Sequence, residues 1–393
     1  LRSFAVITPS IPHMKKSLTL ALSLLFISAA ASAQNTIDAT MQHSGLTRSY
    51  RLYIPAAYNA SQPVPLVFNL HGYTSNNLQQ EFYGDFRPIA DTANFIIVHP
   101  NGTLDNGGQQ FWNAFGTSSV DDVGFLSALI DEIQAEYSID PNCVYSTGMS
   151  NGGFMSYELA CQLSHRIAAV ASVTGSMMQS RFNACNATHP TPVMQIHGTA
   201  DPTVPYNGNA QGMMHIDTLV KRWAQFNNCN LTPTVTPVPN TNLTDGCTAE
   251  HKVYGNGAMG STAELFKVNG GAHTWPGAPI TIGVTNQDFS ASVEIWKFFR
   301  RYKLNDLLTE VEEDMQVVSA FSVFPNPSEG AVTLNFPASE LRTITVVNTM
   351  GQVVETLSSN LLTVQFHLSE PGLYLIVSEE RDGSRMAQRV VIR

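Results

Sequence analysis

Charge is scarce in this sequence. Asp, Glu, Lys and Arg together make 13% of its 393 residues, about half the ~25% usual for soluble domains, which argues against acidic disordered tails and coiled coils. The few charges are unbalanced, 31 acidic against 21 basic for a net charge of −10. An anionic surface repels phosphate backbones, so nucleic acid is not an expected partner. Cysteine is sparse, at five residues. No C-x-x-C pair and no paired His/Cys spacing supports a zinc site, so no metal is expected. A membrane-spanning run is missing as well. The apolar stretch from Ser17 to Ala30 falls short of the ~20 residues needed to cross a bilayer.

That stretch reads instead as a secretion leader. Met14-Lys15-Lys16 supplies a basic start, and Ala31-Ser32-Ala33 a small-x-small cleavage signal. Residues 1–33 are therefore expected to be upstream residues plus a signal peptide, with the mature chain starting at Gln34. Residues 1–13 precede the initiator candidate and carry no export logic, as upstream translation or an incomplete gene call would. Export makes disulfides permissible. Cys229 and Cys247 flank a polar excursion that a bridge would pin, and Cys161 and Cys185 form a second candidate pair. Cys143, inside an apolar run, is the expected buried free thiol.

From Ser49 to Arg301 short apolar runs alternate with helical periods. Val64–Leu70, Asn94–Val98, Cys143–Ser146, Ala168–Val173 and Pro192–Ile196 are near-continuous apolar runs, as strands of a parallel sheet buried on both faces must be. Helices are expected over Val123–Tyr137, Phe154–Leu163 and Met213–Phe226. The alternation predicts an α/β catalytic domain over 34–303 with a mostly parallel sheet. Residues 304–318 are acidic and read as a linker or a last helical turn. Beyond them, short alternating runs broken by Gly351 and Pro371-Gly372 predict a small all-β sandwich over 319–393.

The chemistry centres on Gly148-Met149-Ser150-Asn151-Gly152. G-x-S-x-G is modest evidence alone, but here it follows a strand and precedes a helix, the setting of a nucleophile elbow. Such a serine needs an acid and then a histidine downstream. Asp201 lies just past the run Val193–Ile196, at the sheet edge where open α/β sheets place their sites. Asp217, in a helical run, and Asp245, in the polar excursion, are weaker candidates. His273 sits on the glycine-flanked loop after Ala263–Val268, whereas His215 and His251 fall on a helix and before a strand. Ser150, Asp201 and His273 are thus the expected nucleophile, orienting acid and base. The oxyanion donors are expected to be the backbone N–H groups of Asn151 and Tyr73, with Thr74 as the alternate for Tyr73. His71 is read as a hydrogen-bonding or packing support. Trp275 and Trp112 are candidates for lining a substrate pocket, against the alternative of core packing. Asp121 and Asp122 are read as helix caps.

Leu70-His71-Gly72, Trp112-Asn113, Asp121–Phe125, Gly148–Gly153, His197-Gly198 with Asp201, and Gly271–Gly277 together resemble the polyhydroxybutyrate depolymerase family, which is related to feruloyl and acetyl xylan esterases. The resemblance spans roughly residues 45–300 and is most specific at Trp275-Pro276-Gly277. It implies an α/β-hydrolase fold, no metal or other cofactor, and a triad of Ser150, Asp201 and His273. Tyr73 departs from the small residue or Cys common there in depolymerases. At the other end Pro325-Asn326-Pro327, Met350-Gly351, Gly372-Leu373-Tyr374 and the terminal Arg389–Arg393 resemble the sorting domain of type IX secretion cargo. A carbohydrate-binding module is the rival, disfavoured because no Trp or Tyr cluster is present for sugar stacking.

These readings imply a secreted serine ester hydrolase, extracellular or at the cell surface after passage through the periplasm. Its partners are an ester substrate, either a plant polysaccharide ester or a polyester, and the secretion machinery. Hydroxycinnamoyl esters or polyesters such as polyhydroxybutyrate are the expected substrates, with acetylated xylan and aromatic polyesters as alternatives. The rival from another class is a secreted binding protein on a hydrolase fold that has lost turnover.

Overall fold

The structure is a computed structural model that describes residues 35–308, 321–348, 352–381 and 385–393. The expected leader, most of the acidic segment and the Met350-Gly351 turn lie outside the described residues.

In the first part the strands are β1 Asn35–His43, β2 Leu46–Ile54, β3 Val64–Leu70, β4 Ile96–Pro100, the short pair β5 Thr103–Leu104 and β6 Gln110–Phe111, then β7 Ile139–Met149, β8 Ala169–Val173, β9 Val193–Gly198, β10 Thr234–Pro237, β11 Thr248–Tyr254 and β12 Ala263–Asn269. Between and after them run helices α1 Asn77–Tyr83, α2 Arg87–Ala93, α3 Asp122–Glu136, α4 Asn151–Gln162, α5 Gln179–Asn183, α6 Ile216–Phe226, α7 Ala291–Phe299 and α8 Leu304–Leu307. Ten strands form one sheet in the order β1-β2-β4-β3-β7-β8-β9-β12-β11-β10. The six central strands are parallel, and antiparallel pairs close each edge.

Apolar alternation along these strands sorts side chains to two covered faces. Leu66, Phe68 and Val144 face a core with Phe125, Leu129, Tyr157 and Trp223 from α3, α4 and α6. Val67, Ile97 and Tyr145 face the opposite core with Trp296, Phe299, Leu304 and Leu307. The last two place α8 inside the packing, so the segment after residue 303 starts as a helical turn on the core.

All expected parallel strands are present. The edge pair of β1 and β2 has polar alternating sequences with no continuous apolar run to announce them, and its half-buried face follows from that edge position. Asp121 caps α3 through its Oδ1, which accepts the Gly124 N–H at 2.8 Å. Asp122 does not cap. It is buried, accepts from Arg48 at 2.6 Å and from the Asn113 N–H at 2.7 Å, and so pins the Trp112-Asn113 loop to β2.

Cys161 and Cys185 are bridged, tying α4 to the segment after α5. Cys229 and Cys247 are not, which corrects the expectation of a bridge. Cys247 precedes the start of β11, whereas Cys229 lies by Gly257 and Ser261, beyond that strand's other end. Seven strand residues separate them, roughly 20 Å of rise at ~3.3 Å each, against the ~7 Å that a disulfide's Cα atoms allow.

The described residues from 321 onward form a three-stranded sheet, β13 Ser322–Phe324, β14 Ala331–Asn335 and β17 Thr363–His367, and a four-stranded one ordered β16-β15-β18-β19, with β15 Arg342–Asn348, β16 Val353–Ser359, β18 Gly372–Glu380 and β19 Arg385–Ile392. Inward residues of both, among them Val332, Leu334, Ile344, Val346 and Ile376, share one core.

Candidate active site

Four parallel strands end on one edge of the sheet, and each delivers one part of the site. β7 ends in Met149, and Ser150 follows with φ 53 and ψ −119, a left-handed φ that a non-glycine residue holds only where its surroundings enforce it. Its N–H donates to Val173 O at 2.8 Å, and α4 begins at the next residue. The turn fits only because its flanks lack side chains. A Cβ on Gly148 would lie 2.6 Å from Leu70 O, and one on Gly152 would collide with the same carbonyl.

β9 delivers Asp201 and β12 delivers His273, whose Nδ1 lies 2.7 Å from Asp201 Oδ2. The other carboxylate oxygen accepts the N–H groups of Thr203 and Val204, each at 2.8 Å. Burial pushes the Asp201 carboxyl up, but hydrogen bonds from His197 and His273 outweigh it and hold the group well below the usual carboxylate range. It is thus held as an anion at neutral pH. Among the described residues Ser150 Oγ has no hydrogen-bond partner, and it lines one cavity together with His273.

The residues expected to donate to an oxyanion follow β3 and open α4. The Thr74 N–H is occupied by Gln110 O at 2.9 Å, which removes the alternate donor. Among the described residues no hydrogen bond takes up the Tyr73 N–H. Asn151, first residue of α4, uses its side chain as a clamp: Oδ1 accepts the Trp112 N–H at 2.6 Å and Nδ2 donates to Trp112 O at 3.0 Å. That leaves its backbone N–H beside Ser150 at the positive end of the helix.

The tryptophan expectations are corrected. Trp112 is 0% and Trp275 1% exposed, and neither lines a cavity at Ser150. Trp112 Nε1 donates to His71 O at 3.0 Å, bracing the loop after β3. Trp275 packs edge-on against Phe86, with Nε1 on Ser292 Oγ at 3.2 Å. An aromatic next to a site residue in sequence can point either way along the loop, and both point inward.

His71 is the support it was read as. Its Nε2 accepts the Gly102 N–H at 2.9 Å while Nδ1 donates to Gly72 O at 2.7 Å, and burial lowers its pKa to about 4. The neutral ring thereby ties the Gly72 turn to the segment after β4.

Sequence reasoning missed a chain behind the acid. Tyr157 OH donates to Gln195 Oε1 at 2.8 Å, and Gln195 Nε2 donates to His197 Nδ1 at 3.0 Å. His197 Nε2 then donates to Val204 O at 2.9 Å and lies 3.4 Å from Asp201 Oδ2. The available signal was Gln195 itself, a polar residue inside the apolar run of β9. No group of three or more His, Cys, Asp or Glu among the described residues is arranged to hold a metal ion.

Comparison with known proteins agrees with this architecture. Residues 119–231 match the phospholipase/carboxylesterase family, and residues 322–393 match a secretion system C-terminal sorting domain. A probable feruloyl esterase C of Aspergillus clavatus is 30% identical over 241 residues, 56% of this chain and 78% of that protein. A bifunctional acetylxylan esterase/xylanase of Neocallimastix patriciarum is 28% identical over 281 residues, 64% of this chain but 39% of that longer enzyme. A probable feruloyl esterase C of Aspergillus oryzae is 32% identical, and the match spans 63 to 64% of the length of this and the Aspergillus flavus relative. Among solved structures, an acetyl xylan esterase from Aspergillus awamori superposes with a TM-score of 0.51 at 16% identity, over 68% of this chain and 99% of that one, a likeness of fold. The chain belongs to the carboxylesterase family of α/β-hydrolases, with feruloyl and acetyl xylan esterases among its relatives. Its type IX sorting domain marks it for export to the extracellular space or the cell surface. No described helix is long and apolar enough to cross a membrane.

Proposed function

We propose that the chain is a serine carboxylesterase with Ser150 as nucleophile, His273 as base and Asp201 as orienting acid. One observation carries this reading: Ser150, held at φ 53, faces the same cavity as a histidine whose Nδ1 is 2.7 Å from a buried carboxylate. Ser150 Oγ attacks the ester carbonyl as His273 Nε2 takes its proton, and Asp201 fixes the tautomer and stabilises the imidazolium. The carbonyl oxygen moves towards the N–H groups of Tyr73 and Asn151, where losing one donor costs about 2.7–4 kcal/mol of transition-state stabilisation. The proton on His273 then passes to the departing alcohol, and water activated by the same ring cleaves the acyl-enzyme.

The acyl group belongs to the aromatic, hydroxycinnamoyl class. A cavity of about 610 Å³ opens at Ser150 and Asn151, where Phe111, Phe115 and Phe154 form an aromatic part of the wall and Asn106 and Ser118 a polar one. The names of the feruloyl esterase relatives support the same class. In the test, Ser150→Ala abolishes hydrolysis of methyl ferulate and labelling by a fluorophosphonate while the circular dichroism spectrum is unchanged. Near-native turnover in that variant removes the assignment. A kcat/KM favouring a long-chain nitrophenyl ester over methyl ferulate removes the aromatic acyl class.

A further inference from the structure

Two cavities meet at the nucleophile, and Ser150 and Tyr73 are the residues that line both. The one described above is mixed in character, with Asp105, Asn106 and Ser118 among its phenylalanines. The second, about 690 Å³, is lined by Leu78, Phe82, Tyr83, Met149, Ile280 and Ile282 and has no Asp, Glu, Lys or Arg in its wall. Some of its polar side chains are already committed: Ser75 Oγ donates to Gln79 Oε1 at 2.9 Å, and Gln80 Nε2 donates to Asn69 Oδ1 at 2.8 Å. The partition is held from outside, where Tyr73 OH donates to Asp105 Oδ2 at 2.7 Å.

Proton transfer decides which half of an ester goes where. The Ser150–acyl bond forms as the acyl–alkoxy bond breaks, and the leaving oxygen must take the proton that His273 Nε2 received from Ser150. The leaving group therefore lies on the side of Ser150 that His273 lines, and His273 lines only the apolar cavity of the two. Four large apolar side chains there are left open to solvent, with Ile280 and Ile282 63% and 64% exposed, Phe82 52% and Leu78 45%. Such a cluster marks a surface that something apolar covers. A sugar in this place would bury hydroxyl groups against a wall with few partners for them, which disfavours it relative to an apolar alcohol.

We infer that the alcohol half of the natural ester is apolar, an aryl, alkyl or polyester-chain alcohol seated against Phe82, Ile280 and Ile282, and not a sugar. This rests on the triad proposed above and deepens it. The test holds the acyl group constant and varies the alcohol, comparing 2-phenylethyl ferulate with feruloyl arabinose and repeating the comparison with the matching acetates. The phenylethyl esters should win by about ten-fold or more in kcat/KM. Phe82→Ser and Ile282→Ser, at positions exposed enough to spare the fold, should each lower the phenylethyl-to-methyl ratio several-fold. A preference for the sugar ester, or ratios unmoved by both variants, overturns the inference while Ser150-dependent hydrolysis leaves the triad standing. Hydrolysis that survives Ser150→Ala, or turnover of no ester in either series, brings down the triad and this inference with it.

Discussion

Four polar contacts of the site converge on Asp201. One oxygen holds two backbone N–H groups, and the other meets two histidines. An amide in its place would have to aim its NH₂ group at a donor, either the backbone pair or a ring N–H. Asp201→Asn is therefore expected to fold, to misorient His273, and to lose on the order of 10⁴-fold in kcat. Rate measurements on methyl ferulate check this, and a loss below ten-fold would make Asp201 a support only. Two other buried rings set a pH limit on stability. Burial lowers His71 to about 4 and His99 to about 3 from the ordinary 6.5, and among the described residues neither nitrogen of His99 has a partner. Above 6.5 both states hold these rings neutral. Below it only the unfolded chain takes the protons, so each ring costs up to about 1.4 kcal/mol per pH unit until its folded value is reached. Thermal midpoints should fall steadily from pH 6.5 to 4.5, and His99→Leu should shallow that slope by about half. A slope unchanged by His99→Leu would show that other groups govern the acid limit.

At the scale of elements, α4 connects the chemistry to the fold. Its first residue is clamped to Trp112, its second abuts the Leu70 carbonyl, and its eleventh, Cys161, is bridged to Cys185. Gly152→Ala must push α4 away from β3, separating the two proposed oxyanion donors. Overpacking of this kind costs about 1–3 kcal/mol, and activity should fall more than stability does. Removing the bridge acts differently. With both cysteines replaced by Ala, the loss should be about 2–5 kcal/mol in urea, with turnover at 25 °C largely kept. Thiol titration of the unreduced, denatured chain should count three free groups, from Cys143, Cys229 and Cys247, and a count of one would restore the bridge expected from sequence. That expectation failed because flanking a polar excursion says nothing of how far apart its ends lie, and β11 runs between them. That Ser150, Asp201 and His273 would meet at one sheet edge was legible because order along the chain and placement after apolar runs are local signals. The tryptophans, the Asp122–Arg48 pair and the Tyr157–Gln195–His197 chain depend on which way a side chain turns after the strand ends, and so on neighbours far away in sequence.

For the whole molecule, the apolar clusters among the described residues divide along the chain. Those built on the ten-stranded sheet draw on residues up to Leu307, and the remaining one draws only on residues from Phe321 onward. Each set encloses its own core, which is the physical requirement for folding alone. The catalytic candidates and both cavities at Ser150 lie before residue 308. A chain ending at Leu308 is accordingly expected to fold and to hydrolyse a soluble ester within about two-fold of the full chain, as separable units should. Its export is expected to fail, since the sorting domain is the part removed. Conversely, residues 321–393 appended to an unrelated protein that reaches the periplasm should carry it across the outer membrane in a host with type IX secretion. Steady-state kinetics on the purified truncation and fractionation of cells expressing it test both halves. A truncated chain that is insoluble or inactive would make the β sandwich a structural part of the esterase, and one that still reaches the medium would move the sorting signal elsewhere.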